Sequence, residues 1–186
     1  MQGNMAADSP ARTRADLHAT SPAPSIDALV ADLHQAHALT LVRMANLLLR
    51  DKESAEDVVQ DAFIGLYRAL PRLTDHDQIL PYLRAAVINR ARSALRHRRR
   101  ALQRGDPHEP PGGSVESAVL DRADRVAVLT AVSRLPRRAR EVLVLRFYLE
   151  LSDTEIAATL GISRGTVSST ASRALSALGR QLREEL

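Results

Sequence analysis

The chain contains no cysteine and no tryptophan, and only 3% of its 186 residues are aromatic. Without thiols, disulfides, thiolate catalysis and cysteine-based zinc sites are excluded, and the composition fits a reducing compartment. Alternating runs of β-branched residues are missing while Ala, Leu, Arg and Glu dominate, so an all-α protein is expected. No apolar stretch approaches a membrane span, and residues 1–25 lack the hydrophobic centre of a secretory signal, so the expected location is the cytoplasm. Nucleotide-binding glycine loops, nucleophile elbows and metal-ligand clusters are absent too; Gly112-Gly113 has no strand before it. Neither catalysis nor a cofactor is expected. Lysine is nearly missing: Lys52 is the only one among 26 Lys and Arg. Arginine keeps its charge and forks onto phosphates and guanine edges, which suits nucleic acid.

Hydrophobic residues make up 45% of the chain, ample for a packed core, and the formal net charge is only +4. The placement of the charges is therefore more informative than their sum. Residues 1–25, with Pro10, Pro22 and Pro24 and no periodicity, read as a disordered leader. A helical module is expected over 26–102. In its first helix Leu29, Val30, Leu33, Leu41, Ala45 and Leu48 follow a helical period. His34 and His37 stand three apart but lack a carboxylate at matching spacing, so they read as packing and surface residues rather than metal ligands.

A second helix, from Asp51 or Ser54 to Leu70, places Val58, Val59, Ala62, Phe63, Leu66, Tyr67 and Leu70 on a buried stripe and turns Asp57, Gln60 and Asp61 outward together. Acids in a first turn complement the helix dipole, but Asp61 lies beyond it and suits a basic partner. A third helix, from Tyr82 to about Ala101 with Pro81 in its first turn, buries Leu83, Ala86, Val87, Ala91, Ala94 and Leu95. It carries eight arginines from Arg84 to Arg104 with no acid between them. Nothing within that helix offsets their repulsion, so an external polyanion is expected there, with Asn89 available to a base edge.

Residues 103–117, rich in Gly and Pro, read as a linker that lets the flanking modules sit apart on one elongated ligand. The second module, 118–186, is a bundle of about four helices ending in a helix-turn-helix. Ser152-Asp153-Thr154-Glu155 has the spacing of a capping box, and Gly161 can end that helix in the left-handed region. Ile162 plugs the turn. Ser163 caps a second helix in which Val167, Ala171, Ala174 and Leu178 form one apolar stripe. The opposite face carries Arg164, Thr166, Ser168, Ser169, Ser172 and Arg173, short donors and long cations that suit base edges and phosphates in a major groove.

Four stretches in this order carry a family resemblance: Ala55-Glu56-Asp57-Val58-Val59-Gln60-Asp61-Ala62-Phe63; Tyr82-Leu83-Arg84 through Asn89-Arg90 to Arg98-Arg99-Arg100; Leu135-Pro136-Arg137 through Glu141-Val142-Leu143; and Leu160-Gly161-Ile162-Ser163 with Gly165-Thr166-Val167. Over about residues 30–100 and 120–180 the chain resembles bacterial RNA polymerase sigma factors of the sigma-70 family, extracytoplasmic-function (ECF) type. The resemblance implies two small helical domains, sigma region 2 and sigma region 4, joined by a flexible linker. It implies that Asp57, Gln60 and Asp61 dock on the coiled coil of the β′ subunit of core RNA polymerase, with the β subunit a further contact. Tyr82, Asn89, Arg90, Arg92 and Arg96 would then meet the promoter's minus-ten region, and Arg164, Thr166, Ser168, Ser169 and Arg173 its minus-35 element. Core polymerase and promoter DNA are the implied partners, an anti-sigma factor an optional third, with no membrane insertion. Tyr82 stands where the family often has Trp and offers a smaller stacking face. Ser168 and Thr170 stand where a cation is frequent. A stand-alone helix-turn-helix regulator is the other reading of these residues; it accounts for the second module and leaves the acidic face and the arginine helix without a purpose.

Overall fold

A computed structural model describes residues 25–73, 75–104 and 121–184, and among these every regular element is helical. The expected leader, apart from Ser25, and the expected linker from 105 onward lie outside the described residues.

Helix α1 (Ile26–Leu49) is capped by the Ser25 hydroxyl on the Ala28 N–H and ends on Arg50, whose φ of 60° closes the last turn onto the Asn46 carbonyl. Asp51 then precedes α2 (Lys52–Ala69), its carboxylate taking a hydrogen bond from the Ser54 hydroxyl at 2.5 Å. So short a connection forces α1 and α2 antiparallel. The Tyr67 hydroxyl, near the end of α2, accordingly meets Asp27 near the start of α1, and that carboxylate raises the phenol above its ordinary pKa. Tyr67 is thus a rim residue, 48% exposed, and not part of the buried stripe expected for it. Two short 3-10 turns lead into α3 (Ile79–Arg104), which starts three residues before Tyr82 and packs on both earlier helices. Met44, Leu41, Leu66 and Leu83 are fully buried among them, each contributing on the order of 1.5–3 kcal/mol. The ring of His34 lies 4.9 Å from that of Phe63, a packing contact.

The second module comprises α4 (Asp121–Arg134), α5 (Arg137–Leu143), α6 (Asp153–Leu160) and α7 (Arg164–Glu184). The helix that begins at Arg137 does not continue unchanged to Tyr148. From Val144 to Tyr148 the backbone widens by one residue per turn, which turns both Val144 and Leu145 inward and leaves Phe147 exposed. Arg146 reaches from this segment to Asp153 in the first turn of α6.

The modules do not stand apart. Val142, Leu145, Leu151, Ile156 and Val167 of the second belong to the same buried cluster as Leu48, Leu83, Ile88 and Ala91 of the first. α3 packs on α6, and α1 on α4 and α5.

Candidate nucleic-acid interface

Three faces carry the residues singled out from the sequence. On α2, Asp57, Gln60 and Asp61 are all exposed, because the opposite side of the helix is occupied by Val58, Val59, Ala62, Phe63 and Leu66. Lys52 pairs with Glu56 at 3.7 Å in the first turn, whereas Asp57 and Asp61 make no ion pair among the described residues.

The helix-turn-helix forms as its spacing predicts. Ser152 Oγ accepts from the Glu155 N–H at 3.3 Å, and the Glu155 carboxylate accepts from the Ser152 N–H at 2.8 Å and hydroxyl at 2.7 Å. These bonds, with Arg84 nearby, hold the Glu155 carboxyl below its ordinary pKa. A depressed folded pKa means that the box stabilises fully above the unfolded value of about 4.3 and loses that contribution as pH falls through the folded one. Glu155→Gln is therefore expected to lower stability by about 0.3–1 kcal/mol near neutrality. Thermal melts should show this difference shrinking toward zero in acid; a difference independent of pH would show that the carboxylate's charge is not what matters.

Gly161 ends α6 with φ 66°, and the Ser163 hydroxyl takes the Thr166 N–H at 3.1 Å to start α7. Val167, Ala171 and Ala174 are buried, which leaves Arg164, Thr166, Ser168, Ser169 and Arg173 exposed on the far side. Arg173 lies back along the helix, with Nε donating to the Ser169 carbonyl at 3.1 Å. That bond is solvent-exposed and weak enough to exchange for a base edge.

The third face, on α3, is divided. Tyr82, Asn89 and Arg96 are exposed, and Arg96 donates to Ser93 Oγ at 2.8 Å. Arg84, Ile88 and Arg92, spaced four apart, form a second stripe that turns toward the other module. Ile88, absent from the expected inner face, is 1% exposed. Arg84 lies near Glu155, and Arg92 donates through Nε and Nη2 to both carboxylate oxygens of Glu141 at 2.8 and 2.7 Å. Glu141 is 2% exposed and also meets Arg138 at 3.3 Å and Arg137 at 3.6 Å; the Arg92 side chain is 15% exposed. The expectation that an external polyanion must offset the α3 arginines is thereby corrected for these two. Their acids come from α5 and α6.

Sequence reasoning also missed Arg140. Its guanidinium donates to the Leu48 carbonyl at 2.9 Å and to the carbonyls of Ser133 and Leu135, so one cation covers the open C-terminal ends of α1 and α4. Burial lowers its pKa, Arg50 lowers it further and Glu141 opposes both, yet a guanidinium so far above neutrality stays charged. The only sequence signal was a basic residue beside the one acid in its helix.

Among the described residues no group of three or more His, Cys, Asp or Glu is arranged to hold a metal ion, and no helix is long and apolar enough to cross a membrane.

Residues 33–101 match the family described as Sigma-70 region 2, and residues 125–178 match Sigma-70, region 4. The RNA polymerase sigma-E factor of Streptomyces avermitilis is 35% identical over 146 residues, covering 78% of each chain. The ECF RNA polymerase sigma factor SigL of Mycobacterium tuberculosis is 30% identical over 162 residues, 84% of this chain and 90% of the relative. Among solved structures, the sigma factor RpoE from Bartonella quintana, crystallised with the anti-sigma factor NepR, superposes with a TM-score of 0.70 at 25% identity, covering 82% of this chain and 97% of that one. CnrH in complex with the cytosolic domain of CnrY gives 0.65 at 26% identity, covering 84% and 89%.

Proposed function

Since the chain belongs to the ECF group of bacterial sigma-70 factors, we propose a division of labour among its three faces in directing RNA polymerase to promoters. The acidic face of α2, with Asp57, Gln60 and Asp61, docks on a basic surface of core polymerase, the coiled coil of β′, while β supplies a further contact. On α3 the exposed Tyr82, Asn89 and Arg96 and the half-buried Arg90 meet the minus-ten region, joined by Arg92 once Glu141 no longer holds it. Arg164, Thr166, Ser168, Ser169 and Arg173 of α7 read the minus-35 element. The chain recognises and positions; the phosphoryl chemistry belongs to the polymerase, and the place of action is the cytoplasm. The RpoE neighbour is held by the anti-sigma factor NepR and CnrH by the cytosolic domain of CnrY, which supports a partner of the anti-sigma kind here.

The observation that carries this reading is the separation of signs: an acidic face on α2 whose Asp57 and Asp61 make no ion pair among the described residues, and a cationic, hydroxyl-rich face on α7, in one chain. A stand-alone regulator needs only the second. Run-off transcription from genomic fragments with core polymerase is expected to yield discrete transcripts only when this chain is added. If the chain instead footprints duplex operator DNA unaided and leaves core polymerase inert, the regulator reading replaces this one.

Arg173→Ala is expected to weaken minus-35 recognition by about 1–3 kcal/mol and to relax the preference at one base position, as for a bidentate base contact. Binding measured on a panel of single-base variants checks this. A uniform loss across the panel would assign Arg173 to a phosphate.

A further inference from the structure

Gly65 sits in the interior of α2, where no turn or left-handed backbone calls for glycine. Glycine there weakens a helix more than any residue except proline. What it leaves open is space. A Cβ at this position would stand 2.7 Å from Nη2 of Arg90, 3.5 Å from its Cζ and 3.7 Å from its Nη1. The Arg90 guanidinium therefore leaves α3, crosses to α2 and rests over bare backbone at Gly65.

Its neighbours on α3 are held differently. Arg92 is taken by Glu141, Asn89 by Arg92 and Arg96 by Ser93. Arg90 makes no hydrogen bond or ion pair among the described residues, so it is seated by shape with its donors unspent. The seat lies one turn beyond Asp61 on α2, at the seam between the acidic face and the cationic one.

We propose that Gly65 is a positioning residue for Arg90: the notch holds the guanidinium, already ordered, in the pose from which it engages promoter DNA. The proposal rests on the reading of Arg90 as a promoter contact. Pre-ordering matters because a free arginine gives up its rotamer entropy when it binds a phosphate or base, and a seated one has already done so. A methyl group at 65 meets the far end of a flexible side chain, so Arg90 swings away and the helix stays intact.

The test uses holoenzyme reconstituted with core polymerase, comparing wild type, Gly65→Ala, Arg90→Ala and the double variant. Gly65→Ala is expected to raise the melting temperature of the free chain by about 2–4 °C, since alanine is the better helix former. Core affinity should be unchanged, while promoter binding falls about 5- to 10-fold. The slope of log affinity against log salt concentration should become shallower in Gly65→Ala, as it does in Arg90→Ala. The double variant should bind no worse than Arg90→Ala alone. A glycine with a merely structural role would produce a lower melting temperature, or a loss that adds to that of Arg90→Ala; either overturns the proposal. Wild-type promoter binding by Gly65→Ala beside weakened binding by Arg90→Ala overturns the notch and leaves the contact standing. If Arg90→Ala also binds normally, the contact reading fails and the notch fails with it.

Discussion

Replacing Glu141 with alanine is expected to cost the closed pair of modules about 3–5 kcal/mol, because among the described residues it strips the only acidic partner from a largely buried guanidinium. A buried ion pair contributes little relative to a well-packed apolar substitute, but breaking one leaves a charge with nowhere to go. Here the effect is compounded: Arg92, Arg137 and Arg138 all converge on the one carboxylate, and Arg140 stands near it with Arg50 as its own cationic neighbour. The relief available to the protein is to let α3 and α5 separate so that water reaches the cations. The variant should show a larger radius in solution scattering and a longer distance between fluorophores placed on α2 and α7.

Arg92, no longer committed to Glu141, then becomes available to phosphates, so the free variant should also bind DNA more tightly and with a steeper salt dependence. Exchanging the charges, Arg92→Glu with Glu141→Arg, should recover part of the compact form. A Glu141→Ala chain with unchanged radius and melting temperature would mean that the apolar contacts alone hold the modules together.

Asp61→Arg is expected to lower affinity for core polymerase by about 100-fold or more, the consequence of placing like charges face to face where several kcal/mol are at stake. The melting temperature should stay within a degree or two, because the side chain is exposed and makes no ion pair among the described residues. Competition for core polymerase against the unmodified chain measures the first quantity and a thermal melt the second. Loss of both together would indicate a folding defect; retention of full core affinity would remove this face of α2 from the docking surface. The conservative variant Asp61→Asn should fall between, since it removes the attraction without adding repulsion.

The helix-turn-helix was legible in the chain because everything that shapes it is local. Ser152 and Glu155 are three residues apart, Gly161 and Ser163 punctuate the turn, and Val167, Ala171 and Ala174 repeat at helical spacing. The same holds for the exposure of Asp57, Gln60 and Asp61, which follows from the apolar stripe behind them. The widened turn at 144–148 was not legible. Its five residues are ordinary helix formers, and the extra residue is accommodated because both Val144 and Leu145 find apolar surface to cover.

Local spacing and residue type thus settled which segments are helical, which side of each is apolar, and that one face is acidic while another is rich in arginine and hydroxyls. They did not settle which arginines remain open to a ligand. Arg92 and Glu141 lie 49 positions apart, and Arg140 and Leu48 lie 92 apart. Pairings at such distances depend on how α3 and α5 dock, which no pattern within a single helix contains. Tertiary packing therefore decided that Arg84 and Arg92 face acids of the other module, that Ile88 is core, and that Arg90 rests over Gly65. The physical reason is that a charge is satisfied, or left free, by what lies beside it in space, and for these residues those neighbours come from other helices.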